Sequence, residues 1–190
     1  MAVVRGVKEK VHLPLYDARK FLAGSISTQI SGNLVKFFVD VQNKTKLETN
    51  QQESGVLSHY NTYEARALRV IIQPIAGTAA GTDDEDFISN FIYNSVTTFI
   101  VGEKTMIQAP TWMFPAGAGE ASDDRLSHGV ASPEATFRFA EPIHIDSQQN
   151  FRVEIEFPNG TAMLGTAAVP AGKETRVWVM VDGYITRDVQ

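Results

Sequence analysis

Along this chain, hydrophobic and polar positions alternate with a period of two more often than with the 3.6-residue period of a helix. In 151–157, Phe151, Val153, Ile155 and Phe157 share one face, and Arg152, Glu154 and Glu156 share the other. That pattern predicts a half-buried antiparallel strand with one wet face. In 176–184, Val177, Val179 and Val181 alternate with Trp178, Met180 and Asp182. Both faces there are largely apolar, which predicts a strand that is central or whose second face meets another subunit. Phe137 and Phe139 alternate with Arg138, and Ile143 and Ile145 resume the pattern after Pro142. This reads as an edge strand interrupted by a residue that cannot donate to a ladder.

In the first half, 34–41 places Phe37, Val39 and Val41 opposite Lys36, Phe38 and Asp40. A weaker strand over 25–30 precedes it, across a Ser31-Gly32-Asn33 turn. A further strand over 67–73 ends at Pro74. Strands over 97–101 and 105–108 flank Gly102-Glu103-Lys104 as a short hairpin. One helix interrupts the series. Thr82-Asp-Asp-Glu85 has the spacing of a capping box, and Phe87, Ile88, Phe91 and Ile92 recur on one helical face. The acidic run 83–86 sits where the helix dipole favours negative charge, so capping explains it without a metal.

The expectation is an all-β fold: a single jelly roll or β-sandwich of about eight strands with one short inserted helix. Three stretches, 43–65, 109–134 and 158–174, read as long loops, which in a compact domain are usually functional or ordered by partners.

Composition narrows the function. The chain has 190 residues, no cysteine and a formal net charge of −5. It is long enough for a self-sufficient core and has no thiol for a disulfide, a nucleophile or a cysteine-based metal site. No run reaches a membrane span, and Ala2-Val3-Val4 before Arg5 falls far short of a secretory signal; the expectation is a soluble chain made in the cytoplasm. Residues 1–20 carry five basic against two acidic residues, and the remainder twelve against twenty. Residues 1–22 therefore read as a basic N-terminal arm on an acidic domain, 23–190.

Catalytic constellations are poor. The four histidines, His12, His59, His128 and His144, are scattered. His144-Ile-Asp146 could supply two ligands to a metal-dependent β-sandwich enzyme with His59 or His128, but a solvent-facing histidine and a turn-starting aspartate explain it more simply. There is no nucleophile elbow and no P-loop, so no cofactor is implied. Glu154 and Glu156 share a regular strand face with Arg152 and read as solvated. Asn43-Lys-Thr45 and Asn159-Gly-Thr161 match glycosylation sequons, a pattern common by chance. An acidic body is a poor match for phosphate, so no sequence-specific nucleic-acid partner is expected. What stands out is apolar surface: Trp112, Met113 and Phe114 in a loop, and Trp178 and Met180 opposite a core face. Together with Arg5, Lys8 and Lys10 of the arm, these are the candidate subunit-interface residues.

Four segments resemble single-jelly-roll capsid proteins of tailless icosahedral phages, including the sphaerolipovirus-like group. They are Phe99-Ile-Val-Gly-Glu-Lys-Thr-Met-Ile-Gln-Ala-Pro110; the following Met113-Phe-Pro-Ala-Gly-Ala-Gly119; the stretch from Phe139-Ala-Glu-Pro-Ile-His-Ile to Phe151-Arg-Val-Glu-Ile; and Val177-Trp-Val-Met-Val-Asp-Gly-Tyr-Ile-Thr-Arg187. The likeness covers about half the chain, and its motifs are turns and strand edges. It implies a non-enzymatic capsid subunit, major or one of a major pair, made in the host cytoplasm and working in the virion. Its implied partners are copies of itself, other capsid or vertex proteins and, in the group named, an internal viral membrane. At 190 residues there is room for one roll rather than two. A carbohydrate-binding β-sandwich that stacks sugars on Trp112, Trp178 or tyrosines is the alternative from another class.

Overall fold

The computed structural model describes residues 8–73, 83–115, 135–165 and 168–188, with side chains of the helix from Phe87 onward. It is an all-β sandwich of two antiparallel sheets with one α-helix. The strands are β1 (Lys8–His12), β2 (Leu15–Ser25), β3 (Leu34–Phe37), β4 (Thr62–Ile72), β5 (Val96–Val101), β6 (Lys104–Pro110), β7 (Phe137–Ile145), β8 (Phe151–Glu156) and β9 (Ala168–Asp188). Helix α1 (Asp83–Tyr93) lies between β4 and β5 in the chain.

One sheet has the order β1-β9-β4-β7, with β2 also on β9; the other has the order β3-β8-β5-β6. The pairings are nested. β2 pairs with β9, β3 with β8, β4 with β7 and β5 with β6. Strands β2 to β9 therefore form one long antiparallel ribbon folded back at the β5–β6 hairpin. The cross-pairs β4·β9 and β5·β8 join the ribbon to itself and close it into two sheets.

The alternation read from 151–157 holds: Phe151, Val153, Ile155 and Phe157 are buried. β8 is central, with Val153 opposite Phe37 on one side and Phe99 on the other. β9 is central in its own sheet, and Val177, Val179 and Val181 are inaccessible to solvent. The inner faces of both sheets and the helix contribute to one core. Helix α1 presents Phe87, Ile88 and Phe91 to it, with Phe91 edge-on to Phe157 at 5.1 Å. Thr82 of the expected capping box lies outside the described residues. β7 is an edge strand whose pairing with β4 breaks between Ala65 and Ala67, as Pro142 suggested.

Several expectations are corrected. Residues 8–22 are not an arm apart from the domain. β1 pairs along its length with 184–188, and β2 buries Leu15, Ala18 and Phe21. The two strands are one extended run divided at Leu13-Pro14, where Leu13 N–H still reaches the Gly183 carbonyl at 3.1 Å. Residues 25–30 are not a strand of their own, because β2 ends at Ser25 and a 3-10 turn, Ser27–Gln29, follows. The strand expected over 34–41 stops at Phe37. Phe38 takes a left-handed φ of 69°, so Phe37 and Phe38 both enter the core and Val39 turns outward. A left-handed non-glycine residue costs about 1–3 kcal/mol, which the packing of Phe38 on Phe151 at 5.2 Å helps to offset. Of the expected long loops, 62–65 belongs to β4 and 168–174 to β9; 109–110 ends β6 and a 3-10 turn, Thr111–Met113, follows. No helix among the described residues is long and apolar enough to cross a membrane.

Candidate interaction surfaces

The outer face of the β9 sheet carries a charged lattice built by the register. Tyr184 of β9 stands opposite His12 of β1 and Glu64 of β4. Lys10 forms an ion pair with Glu64, which also pairs with Arg66. Lys10 and Arg66 both lie over the Tyr184 ring, at 5.0 and 5.3 Å. The hydrogen bonds from Lys10 and then Arg66 hold the Glu64 carboxyl below its usual range. Asp182 accepts from Arg69 at 2.9 Å and lies 2.7 Å from His12 Nε2. Lys10 is thus engaged within its own chain. Lys8 is exposed at the start of β1, opposite Asp188, and Arg5 lies outside the described residues.

Towards the other end of β9, the same face becomes apolar. Trp178 and Met180 are half-buried there, opposite Ile71 and Arg69 of β4. The segment 43–50 folds back over this end: the Trp178 indole N–H donates to the Leu47 carbonyl at 3.0 Å, and Tyr16 donates to the Lys46 carbonyl. Leu47 itself is left 61% exposed. It escaped sequence reading because it sits between Lys46 and Glu48, where a lone leucine carries no periodic signal.

The same segment is anchored by two acids with opposite behaviour. Asp17 of β2 is wholly buried. Its carboxylate accepts the Phe38 N–H at 2.7 Å and the Lys44 ammonium at 2.8 and 2.9 Å. Burial raises its carboxyl above the usual range, against the lowering effect of Lys44 and Phe38. Glu48 is also buried, which alone would raise it. The Thr45 N–H and hydroxyl, with Lys20 nearby, outweigh burial and bring it down to about 2.

Side-chain amides close the free edge of β2. Asn50 accepts the Tyr16 N–H at 3.0 Å and donates to the Pro14 carbonyl at 2.7 Å. Gln29 accepts the Leu22 N–H and donates to the Leu22 carbonyl, each at 2.8 Å. Each amide stands in for a neighbouring strand on backbone groups that would otherwise recruit one.

The loop candidates separate. Trp112 is 54% exposed in the 3-10 turn after β6, and Met113 is partly buried against the core. Phe114 is corrected: at 1% exposure it is a core residue, edge-on to Phe137 at 5.0 Å, with its carbonyl accepting the Val70 N–H. It is unavailable to a partner. Tyr60 and Tyr93 are more exposed than either tryptophan and had not been singled out.

His144 and Asp146 are exposed at the end of β7, and His59 stacks edge-on against Tyr60 at 5.0 Å. His128 lies outside the described residues. Among the described residues, no three His, Asp or Glu side chains gather as a metal site. Glu154 pairs with Arg152 at 2.8 Å.

Comparison with family models, with curated proteins and with solved structures finds no match.

Proposed function

We propose that this chain is a capsid subunit, a single jelly roll that assembles with copies of itself into an icosahedral shell. The observation that carries the reading is the nested pairing of β2 to β9. Rolling one long antiparallel ribbon until its ends meet brings its strands into two sheets, here β2-β9-β4-β7, with β1 also on β9, and β3-β8-β5-β6. We read that winding as a jelly roll, an architecture used by viral capsid and lectin domains. It supports the resemblance carried by 97–190.

On this reading the partners are other copies, together with capsid or vertex proteins, and the site of action is the virion. The sealed edge of β2 suits such a role, because association is then directed to chosen faces rather than to uncontrolled strand pairing. Among the described residues, Lys8, Trp112 and the Leu47 tip over Trp178 are exposed groups that suit subunit contact. Arg5 and Met180 remain candidates from the sequence.

The test is native mass spectrometry and electron microscopy of the purified full chain. A closed shell or a discrete ring of copies is expected, weakened by Trp112→Ala or Leu47→Asp. A strict monomer at every accessible concentration overturns the proposal. The exposure of Trp112 favours one second reading, a carbohydrate-binding domain, in which glycan binding by the monomer is lost in Trp112→Ala.

A further inference from the structure

The pair Asp17–Lys44 holds an amine against a wholly buried carboxyl group at the edge of the core. The Asp17 side chain has no solvent exposure and that of Lys44 is 18% exposed. Lys44 Nζ lies at 2.8 and 2.9 Å from the two carboxylate oxygens, so it sits across the carboxyl group rather than beside one oxygen. The Phe38 N–H points at Oδ2 from 2.7 Å, fixed there by the left-handed backbone. Thr49 bridges to Asp17 across the edge of β2, and its hydroxyl donates to the Tyr16 carbonyl at 3.0 Å.

The geometry points to an intramolecular amide bond between the side chains of Lys44 and Asp17, formed by the folded protein itself. The inference is independent of the capsid reading. A proton passes from the ammonium to the carboxylate, leaving a neutral amine beside a carboxylic acid. The amine lone pair attacks Cγ, and the oxygen facing Phe38 takes the carbonyl electron pair, stabilised by that N–H as a backbone donor stabilises a tetrahedral intermediate. The Nζ–Cγ bond forms and the other Cγ–O bond breaks. The departing hydroxyl takes up the proton lost from nitrogen and leaves as water. The sum is amine plus acid giving amide plus water, with no oxidant, metal or nucleotide required.

Three physical arguments favour closure. Burial biases the Asp17 carboxyl towards the acid form that the step consumes. A buried ion pair carries a desolvation cost that a neutral amide does not. Two groups held in contact react at a high effective concentration. The bond would tie β2 to the segment that covers its edge, constraining the unfolded chain as a disulfide does, in a protein without cysteine.

Intact-mass measurement of the purified full chain tests this. The wild type is expected lighter than its sequence by one water, and digestion should yield a branched peptide joining the stretches that contain Asp17 and Lys44. Lys44→Arg, which keeps the charge, and Asp17→Ala should both restore the full sequence mass. A wild type at full mass after prolonged incubation in the folded state overturns the inference. So does a lost water that maps to a peptide other than the Asp17–Lys44 branch. Because the reading comes from the wild type, a variant that folds poorly does not blur it.

Discussion

A β-carbon on Gly183 would lie 2.1 Å from the carbonyl oxygen of Glu64. The cause is the irregularity in β4 between Ala65 and Ala67, which drives the β4 backbone into β9 where Gly183 faces inward. The Tyr63 ring closes the same space at 3.0 Å, and the Tyr63 hydroxyl bonds to the Val181 carbonyl beneath it. Gly183→Ala must therefore push the two central strands of the sheet apart. A loss of about 1–3 kcal/mol or more is expected from overpacking, read as a lower denaturation midpoint in urea. A midpoint equal to wild type would mean that β4 and β9 separate at no cost.

Glu48 makes the fold acid-sensitive. Its carboxyl is held down to about 2 in the folded state, against about 4.5 when free, so the folded state binds the proton less readily. Its contribution is fully present above 4.5 and is lost as the pH falls through about 2. Glu48→Gln should cost about 1–3 kcal/mol at neutral pH, the usual loss of charge-assisted hydrogen bonds. The gap between variant and wild type should shrink below pH 4.5 and close near 2. Denaturant melts across that range check the sign; a gap that widens in acid would exclude Glu48 as its source.

Val153 and Arg152 are adjacent in β8, yet they face opposite environments. Val153→Asp buries an unpaired charge between Phe37 and Phe99 and should cost about 3 kcal/mol or more. Arg152 makes a surface pair with Glu154, and Arg152→Ala should stay within about 0.5 kcal/mol of wild type. Equal effects in thermal melts would mean that the register is shifted by one residue.

The amide seals on β2 give a different readout. Gln29→Ala and Asn50→Ala each remove a hydrogen-bonded cover worth about 1 kcal/mol and expose strand backbone. The double variant is expected to show concentration-dependent light scattering before it unfolds. Scattering unchanged from wild type would show that the edge is guarded by something else.

The strands that were legible in the sequence are those with one wet face or two apolar ones, such as β8 and β9, because a period of two survives in their side chains. β2 was not legible. Its buried residues Leu15, Asp17, Ala18 and Phe21 follow no period, Asp17 is a charge in the core, and Arg19-Lys20 interrupts the run. Phe38 was assigned to the wrong face because a left-handed residue reverses the alternation at one position. Phe114 looked like surface because the turn that buries it follows a loop signal rather than a strand signal. For Trp178 the expectation of apolar surface was half met: the ring lies on the outer face, but Leu47, distant in sequence, lends it a carbonyl. Such contacts depend on the fold as a whole and leave no trace in local spacing.

The central place of β9 sets a schedule for making the protein. On the ribosome, β1, β2 and β4 emerge long before β9, with which all three pair. Until 168–188 has been translated, Leu15, Phe21, Leu68 and Val70 have inner faces with no sheet to complete. A nascent chain is thus unfinished at its centre rather than at its rim, and it needs shielding from its neighbours throughout synthesis. A copy whose translation stops before β9 lacks the middle of a sheet and cannot complete the two-sheet fold.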